Sequence, residues 1–388
     1  LFAVPLAILK ATGSLTLSSL AFVIEWLPRI IFFPLSGFMA DRIKPRFIFF
    51  NVDALRALLM GAVFALLYWY PGSTFPALAA MMALLSVAYV LNFVATDALL
   101  PRHLSSEALP KAHSMLQGVD QITMVLGPAI AVAISSWGGI DSILIVAAVL
   151  FAISAINYLF LETHDLEVTE KLGFHTLLAS NRTALHVLKK NKILLHLCAL
   201  TWVVNLVYGA ALVVSAAVIL KEFNLSDRYF GALQTTAALV TIVAFFFVPR
   251  FASRFGLSTL GTFSFCAMIL AGAVMSLSVD YAMYLAGYAV LMAFDGAFSV
   301  YLRTLRSQVI PKEHLGKTMG IIGLMNMCSV PASGAVVSLL SGHFMPLQII
   351  SIILVAALVF GLLLIFFGRR VFGYKSLLPP VIVSEPSC

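Results

Sequence analysis

Residues 37–46 read GFMADRIKPR and join two long apolar runs, 16–40 and 47–70. A glycine such as Gly37 leaves room for two helices to pack closely. Asp41 is suited to capping or neutralising a nearby helix end, and the arginines that follow it are suited to binding carboxylates and carbonyl groups. The segment therefore predicts a polar contact at the ends of closely packed helices.

The composition indicates a polytopic membrane protein. Hydrophobic residues make up 61% of the 388 residues and charged residues only 11%, against roughly 45–50% and about 25% in soluble proteins. The apolar content suffices for roughly 11–12 membrane spans of ~20 residues each. A soluble enzyme, a disulfide scaffold and a disordered chain are excluded. The cysteines and histidines are scattered, and the sequence predicts no metal site.

Apolar runs separated by loop-forming residues predict one half helix followed by eleven full helices, because continuous runs of this length suit only helices in a membrane. We expect the sequence to begin partway through the first helix. The predicted helices lie near 1–9, 16–40, 47–70, 76–98, 113–136, 142–161, 193–219, 229–249, 257–278, 281–302, 316–340 and 346–367.

The basic residues predict the orientation. Of the 24 lysines and arginines, nineteen fall on the side of the loop at 41–46, and three (Lys10, Lys221 and Arg228) fall on the opposite side. The other two, Arg29 and Arg56, lie within predicted helices. Because cytoplasmic loops carry the excess of basic residues, this distribution places the C-terminal tail in the cytoplasm.

The longest polar stretch, 162–192, divides the chain into six helices and six helices. The predicted domains are an N-terminal bundle at 1–162, a cytoplasmic linker at 163–192, a C-terminal bundle at 193–367 and a cytoplasmic tail at 368–388. Residues 177–188 are suited to an interfacial amphipathic helix. LPRHL at 100–104 and IPKEHL at 310–315 occupy corresponding places before the fifth and eleventh helices. Such repeats are typical of transporters with a site between two halves.

The segment 37–46 resembles the loop motif G-x-x-x-D-R-x-G-R-R of the major facilitator superfamily, and it lies between helices two and three as in that family. The pair Lys44-Pro45 departs from the motif. The resemblance implies an all-α fold of twelve transmembrane helices in two six-helix bundles around a central cavity. It also implies a conformational gate motif that contains Gly37, Asp41, Arg42 and Arg46. Asp97 and Asp120 lie near the cytoplasmic ends of helices four and five, and we expect them to contact Arg42, Arg46 or Arg102 in this gate.

The fifth helix resembles part of the antiporter motif G-x8-G-x3-G-P-x2-G-G through Gly118, Gly127 and Pro128, although Ala131-Val132 replaces the final glycine pair. This resemblance implies export. The fourth helix, 76–98, lacks the family's arginine, which puts an arginine-based proton relay there in doubt. The chain as a whole is most similar to bacterial drug and siderophore exporters of the enterobactin-exporter type. An importer, either a symporter or a uniporter, is the alternative.

Charges inside membrane spans are costly and are functional candidates. Glu25 lies near the middle of the second helix, with Arg29 one turn further along. The two form either a self-neutralising structural pair or a proton-coupling site. Asp295, in the tenth helix without a basic residue within one turn, is the second candidate for proton coupling.

Polar and aromatic side chains within the spans are candidates for the substrate cavity, although such residues also serve as lipid or core contacts. The seventh helix carries three of them along one face, and helices four and six add two amides. The candidates are Asn92, Asn157, Trp202, Asn205 and Tyr208.

The predicted function is proton-coupled export of a small organic molecule, such as a siderophore or a drug, across a bacterial inner membrane. No nucleotide-binding loop or other enzyme motif is found, and the proton gradient takes the place of a cofactor. We expect the chain to act as a monomer in the lipid bilayer, with a small-molecule substrate and without nucleic acid. A channel-like protein is disfavoured because the sequence lacks a selectivity-filter segment and carries a two-half repeat.

Overall fold

The computed structural model describes residues 15–161 and 173–372, and it describes side chains from residue 27 onward apart from a few positions. Within these ranges the chain is nearly all helical and contains no β-strand. The twelve helices are α1 Leu15–Ala40, α2 Pro45–Trp69, α3 Thr74–His103, α4 Leu109–Tyr158, α5 Phe174–Lys190, α6 Lys192–Ala217, α7 Asp227–Phe255, α8 Leu257–Ser276, α9 Tyr281–Val309, α10 Leu315–Met327, α11 Ser329–Ser341 and α12 Pro346–Phe372.

Each of the eleven full spans predicted from apolar runs coincides with helical residues, although α4 contains two of these spans and α10 and α11 share one. In the described ranges nine helical segments are long and apolar enough to cross a membrane, and Leu27–Ala40 is a shorter apolar helix. The predicted half helix at 1–9 lies outside the described residues, as does most of the predicted tail.

Two spans lie within the single helical stretch α4, which changes direction at Gly138-Gly139. Gly139 has φ +65° and ψ −146°, a conformation that is open to glycine and strained for residues with a Cβ atom. Asp141–Tyr158 then forms a second span. The predicted loop at this glycine pair is confirmed as the break between two membrane helices.

The predicted span at 316–340 is confirmed, since Lys312–Ser341 forms one candidate membrane span, but its helix is broken at the single residue Cys328. The structure ends α10 at Met327 and begins α11 at Ser329. Pro331 lies in the first turn of α11 and has no N–H to donate to the carbonyl of Met327, and its ring crowds that carbonyl. One apolar run therefore forms two short helices.

The chain forms two compact units, and each contains a segment from the other half of the sequence. The first unit comprises residues 1–102, 126–187 and 312–324, and the second comprises 103–125, 188–311 and 325–388. The exchanged segments follow the two copies of the internal repeat, LPRHL and IPKEHL. The predicted domain division at 163–192 stays a prediction, and a helix, α5, covers the predicted amphipathic segment within it.

Each unit has its own apolar core. In the first unit, a cluster that includes Met60, Leu78, Met82 and Leu144 joins α2, α3 and the second part of α4. In the second unit a larger cluster joins α6, α7, α8, α9, α11 and α12. Asn191 caps α6 by accepting hydrogen bonds from the amides of residues 193 and 194, and Asp280 caps α9. These caps accept hydrogen bonds from amides in the first turn of each helix, which have no acceptor within the helix.

In the first unit, α1 and α10 approach so closely that no side chain fits between their backbones. A Cβ atom on Gly320 would lie 2.6 Å from the carbonyl oxygen of Phe33 and 3.1 Å from Cα of Gly37, and a Cβ on Gly316 would lie 2.6 Å from the carbonyl oxygen of Gly37. Gly316 and Gly320 have the G-x-x-x-G spacing that brings membrane helices together.

We expect Gly320→Ala to destabilise the protein, because the added methyl group meets backbone atoms that cannot rotate away. Overpacking of this kind costs about 1–3 kcal/mol, which outweighs the usual gain of ~1 kcal/mol from alanine in a helix. Gly61→Ala in α2 is the matched control, since nothing lies within 4 Å of its Cβ position. Thermal unfolding of the purified proteins in detergent, followed by tryptophan fluorescence, should show a lower Tm for Gly320→Ala alone. Equal Tm values would contradict the close contact.

Candidate functional site

Asp41, in the turn after α1, is the centre of a polar cluster at the start of α10. Its two carboxylate oxygens accept hydrogen bonds from the backbone amides of Gly316 at 2.7 Å and Lys317 at 2.8 Å. Arg102, near the end of α3, forms an ion pair with Asp41 at 2.8 Å and donates to the carbonyl of Ala40 at 3.3 Å. The carboxylate thus satisfies amides that α10 cannot bond internally, at the positive end of the helix dipole.

The electrostatic balance at Asp41 depends on these partners. Burial raises the pKa of the Asp41 carboxyl above its ordinary value, while the hydrogen bonds from the Lys317 and Gly316 amides and the charge of Arg102 act in the opposite direction. Loss of Arg102 should therefore raise this pKa further.

The other predicted gate residues have different surroundings. Arg42 lies over the ring of Phe38 at 4.0 Å and is 3.5 Å from the hydroxyl of Ser180. Arg46 is exposed, with its guanidinium 4.9 Å from the ring of Phe47. Asp97 is buried in α3, and Asp120 is exposed in α4. Contacts of Asp97 and Asp120 with the gate arginines stay predictions.

A second polar cluster of the first unit surrounds Arg29 in α1. Arg29 is buried, and its guanidinium carbon lies 4.7 Å from the centre of the Tyr89 ring in α3. Asn92, one turn from Tyr89, has a buried side-chain oxygen without a hydrogen-bond partner in the described structure. Phe93 stacks on Tyr89 at 6.1 Å. The side chain of Glu25 lies outside the described residues, so its predicted pairing with Arg29 stays a prediction.

In the second unit, α6 presents the three predicted residues along one partly exposed face. These residues are Trp202, Asn205 and Tyr208. Asn205 donates from its amide to the hydroxyl of Ser329 in α11 at 2.7 Å. Positions between them, such as Val203 and Val207, are buried in the core. The three side chains are therefore partly buried, and Tyr208 packs against the apolar core of the second unit.

Asp295 lies at the midpoint of α9 and close to Tyr208. The residue is partly buried among neighbouring side chains. No ion pair joins Asp295 to another residue within the described ranges. A carboxylate without a cation in such surroundings is costly when charged.

The remaining predicted residues lie elsewhere. Asn157 is exposed next to the end of α4. A Cβ atom on Gly118 would touch Cβ of Phe245 in α7 at 3.9 Å, whereas nothing lies within 4 Å of the Cβ position of Gly127. The side chain of Pro128 lies outside the described residues. No three His, Cys, Asp or Glu side chains form a metal-binding group in the described parts of the chain.

Sequence reasoning missed several polar contacts of the second unit. Arg303 in α9 donates to the side-chain oxygen of Gln117 in α4 at 3.0 Å, and His113 and Ser307 share a hydrogen bond at 3.3 Å. In the first unit, sequence reasoning also missed Tyr89, whose ring lies next to Arg29. In the sequence, Arg303 is only one more basic residue on the cytoplasmic side. No local pattern indicates its contact with Gln117, which lies far away along the chain.

The family comparison assigns the chain to a class. The family model described as Major Facilitator Superfamily matches residues 1–216 and again residues 197–379. The chain belongs to this superfamily, and it is a multi-pass membrane transporter with the predicted twelve-helix fold. No curated protein sequence matches it at a significant level.

Solved structures share the fold at low sequence identity. A bacterial homologue of the iron transporter ferroportin, in an outward-facing state, is 18% identical over 95% of both chains, with a TM-score of 0.75. The human organic anion transporter MFSD10 (TETRAN) is 15% identical over 92% of this chain and 88% of its own, with a TM-score of 0.70. The proton:xylose symporter XylE is 14% identical over 92% and 89%, with a TM-score of 0.68.

We expect Asp41→Asn and Arg102→Gln each to lower the thermal stability of the transporter, and the double variant to be little worse than either single variant. Partners in one polar network show coupling of about 0.5–3 kcal/mol in double-mutant cycles. Arg46→Gln, which removes an exposed arginine in the first turn of α2, is the control and should leave the Tm unchanged. Strictly additive losses in the double variant would contradict the ion pair.

Proposed function

We propose that this chain is a proton-coupled exporter of a small organic molecule, an antiporter of the siderophore- or drug-exporting kind that works by alternating access. In this proposal it acts as a monomer in a bacterial inner membrane, with its C-terminal tail in the cytoplasm. The observation that carries the proposal is Asp295, a partly buried carboxylate at the midpoint of a membrane helix, without an ion-pair partner among the described residues.

Asp295 has the properties that proton coupling requires. A coupling carboxylate binds a proton when it faces one side of the membrane and releases it when it faces the other, so its environment must change with conformation. Asp295 has no cation partner among the described residues. Its protonation therefore depends on access to water and on the nearby Tyr208.

The pair Glu25 and Arg29 is the alternative to Asp295 as the site of proton coupling. A buried arginine next to a carboxylate keeps that carboxylate ionised, and separation of the two groups, or occupation of Arg29 by an anionic substrate, would favour protonation. In this role Glu25→Gln folds and still binds substrate but loses pH-driven transport. Asp295 is the better supported of the two candidates, because its surroundings are described.

The direction of transport rests on the partial antiporter motif. A methyl group would fit at Gly118 and at Gly127, so the support for export is the motif Gly118, Gly127 and Pro128 itself. The importer alternative gains some support from XylE, a proton:xylose symporter that shares the fold. Vesicles with an imposed pH gradient separate the two, because an antiporter accumulates substrate against the proton flow and a symporter accumulates it with the flow.

The Arg29 cluster favours a substrate that combines an anionic group with an aromatic ring. A buried guanidinium binds carboxylate or catecholate oxygens strongly, Tyr89 offers a ring for stacking, and Asn92 has an unsatisfied carbonyl oxygen for a hydroxyl donor. Such chemistry fits many siderophores and organic anions. The human neighbour is an organic anion transporter, which agrees with this class of substrate.

We expect Asp295→Asn to lose at least tenfold of pH-driven transport in vesicles while substrate binding is retained, because asparagine cannot exchange a proton. Asp280→Asn is the matched control on the same helix, since asparagine also caps helices well and Asp280 only caps α9. The measurement is accumulation of labelled substrate under a pH gradient, with exchange in the absence of the gradient. If Asp295→Asn keeps the wild-type pH profile, Asp295 is structural and Glu25 becomes the leading candidate.

We expect Arg29→Ala to weaken binding of an anionic catecholate siderophore about tenfold or more, which corresponds to a charged hydrogen bond of ~1.5–3 kcal/mol. Arg29→Lys, which keeps the charge, should retain part of the affinity. Binding of a neutral aromatic drug should change far less. Equilibrium binding to purified protein in detergent measures all three. Equal losses for both ligands would indicate a packing role for Arg29.

A further inference from the structure

A large cavity lies in the second unit between the first part of α4 and the second half of α7. Its volume is about 1120 Å³, which exceeds the roughly 300–1,000 Å³ of drug-sized pockets. Its wall along the helices is apolar and includes Met115, Val119, Ile122, Ile242 and Phe246. Its other end is polar and includes Lys111, Glu107, Arg250, Ser106 and Ser253.

The apolar wall faces away from α9. Ser114 and Gly118 form the contact between α4 and α7, with the hydroxyl of Ser114 donating to the carbonyl of Phe245 at 2.8 Å. His113 and Gln117 lie on one flank of this contact and bind α9. The cavity opens on the opposite flank, where Met115, Val119 and Phe246 are 64%, 61% and 64% exposed. Apolar side chains so exposed on membrane helices require an apolar neighbour, which in a bilayer is lipid.

The dimensions of the cavity match one leaflet of a bilayer. Along α4, Lys111 and Ile122 are separated by about 16 Å at 1.5 Å per residue, and half of a typical hydrocarbon core is ~15 Å. The basic end is the one that the positive-inside distribution assigns to the cytoplasm. An occupant with an acyl chain along the wall therefore has its head group beside Lys111 and Arg250.

The first unit suggests why the end of α7 lacks an aspartate that corresponds to Asp41. By the spacing of PRFASRFG at 249–256 and GFMADRIK at 37–44, Ser253 corresponds to Asp41, and Pro249 corresponds to Gly37. In the first unit Asp41 supplies a carboxylate at the start of α10, and Gly37 lets the helices touch. The second unit has a proline and a hydroxyl at these places, which leaves the helix ends apart and without the carboxylate.

We propose that this cavity binds one anionic phospholipid of the phosphatidylglycerol type. Lys111 and Arg250 bind the phosphate. The carboxylate of Glu107 accepts hydrogen bonds from the glycerol hydroxyls of the lipid, and the hydroxyls of Ser106 and Ser253 donate to them or accept from them. One acyl chain lies along Met115, Val119 and Ile122. Two cations and one carboxylate leave the polar end with a net positive charge, which favours an anionic lipid over a zwitterionic one.

The test uses the full-length transporter in nanodiscs of phosphatidylcholine with a minority of phosphatidylglycerol, followed by extraction and quantification of the retained lipid by native mass spectrometry. Lys111→Gln/Arg250→Gln should reduce retained phosphatidylglycerol at least threefold. Lys189→Gln/Lys190→Gln removes two exposed cations at the end of α5 and should retain it. Val119→Trp fills the wall without changing charge and should also displace the lipid.

Three results would overturn the proposal. Equal retention in both double variants would show that phosphatidylglycerol is held only by the general positive charge. Equal retention of phosphatidylcholine by the wild-type protein would show that the head group is not recognised. Displacement of the lipid by a transported solute or by inorganic phosphate alone would assign the cavity to that ligand. If Lys111→Gln/Arg250→Gln has a lower Tm than the wild-type protein, lipid retention by Val119→Trp becomes the deciding measurement.

Discussion

The packing of the first unit depends on a buried carboxylate at the start of α10. Amides at the beginning of a helix have no partner within that helix, and in a low-dielectric setting each unsatisfied amide is costly. Asp41 satisfies two of them, and Arg102 compensates its charge. The arrangement requires backbones in direct contact, which Gly316 and Gly320 permit. A short loop thus connects the end of α1, the end of α3 and a segment from the other half of the sequence.

The second unit solves the same packing problem with different residues. Pro249 and Ser253 occupy the positions of a glycine and an aspartate, and a hydrogen bond from Ser114 to the carbonyl of Phe245 joins α4 to α7. Contacts between side chains of α4 and α9, such as Gln117 with Arg303, hold the exchanged segment instead. The two halves of a repeated fold have thereby diverged from a closed polar junction to an open, positively charged cavity.

Each unit also carries a charged side chain within a membrane helix. The first unit buries a cation, Arg29, against an aromatic ring, and the second unit encloses a carboxylate, Asp295, near a tyrosine hydroxyl. Neither residue contributes to an apolar core, and both positions would be more stable with hydrophobic side chains.

The sequence by itself determined the all-helical fold class and the positions of the eleven full spans, because hydropathy and loop glycines act over short distances along the chain. It also identified Asp41, Asp295 and Arg29, since charge within or beside an apolar run is visible locally. Only the tertiary structure decided what these groups touch: the amides of Gly316 and Lys317, the hydroxyl of Tyr208 and the ring of Tyr89. It also decided the interruption between α10 and α11 and the exchange of segments between units. These features depend on contacts between residues tens or hundreds of positions apart, which the periodicity of a single sequence does not encode.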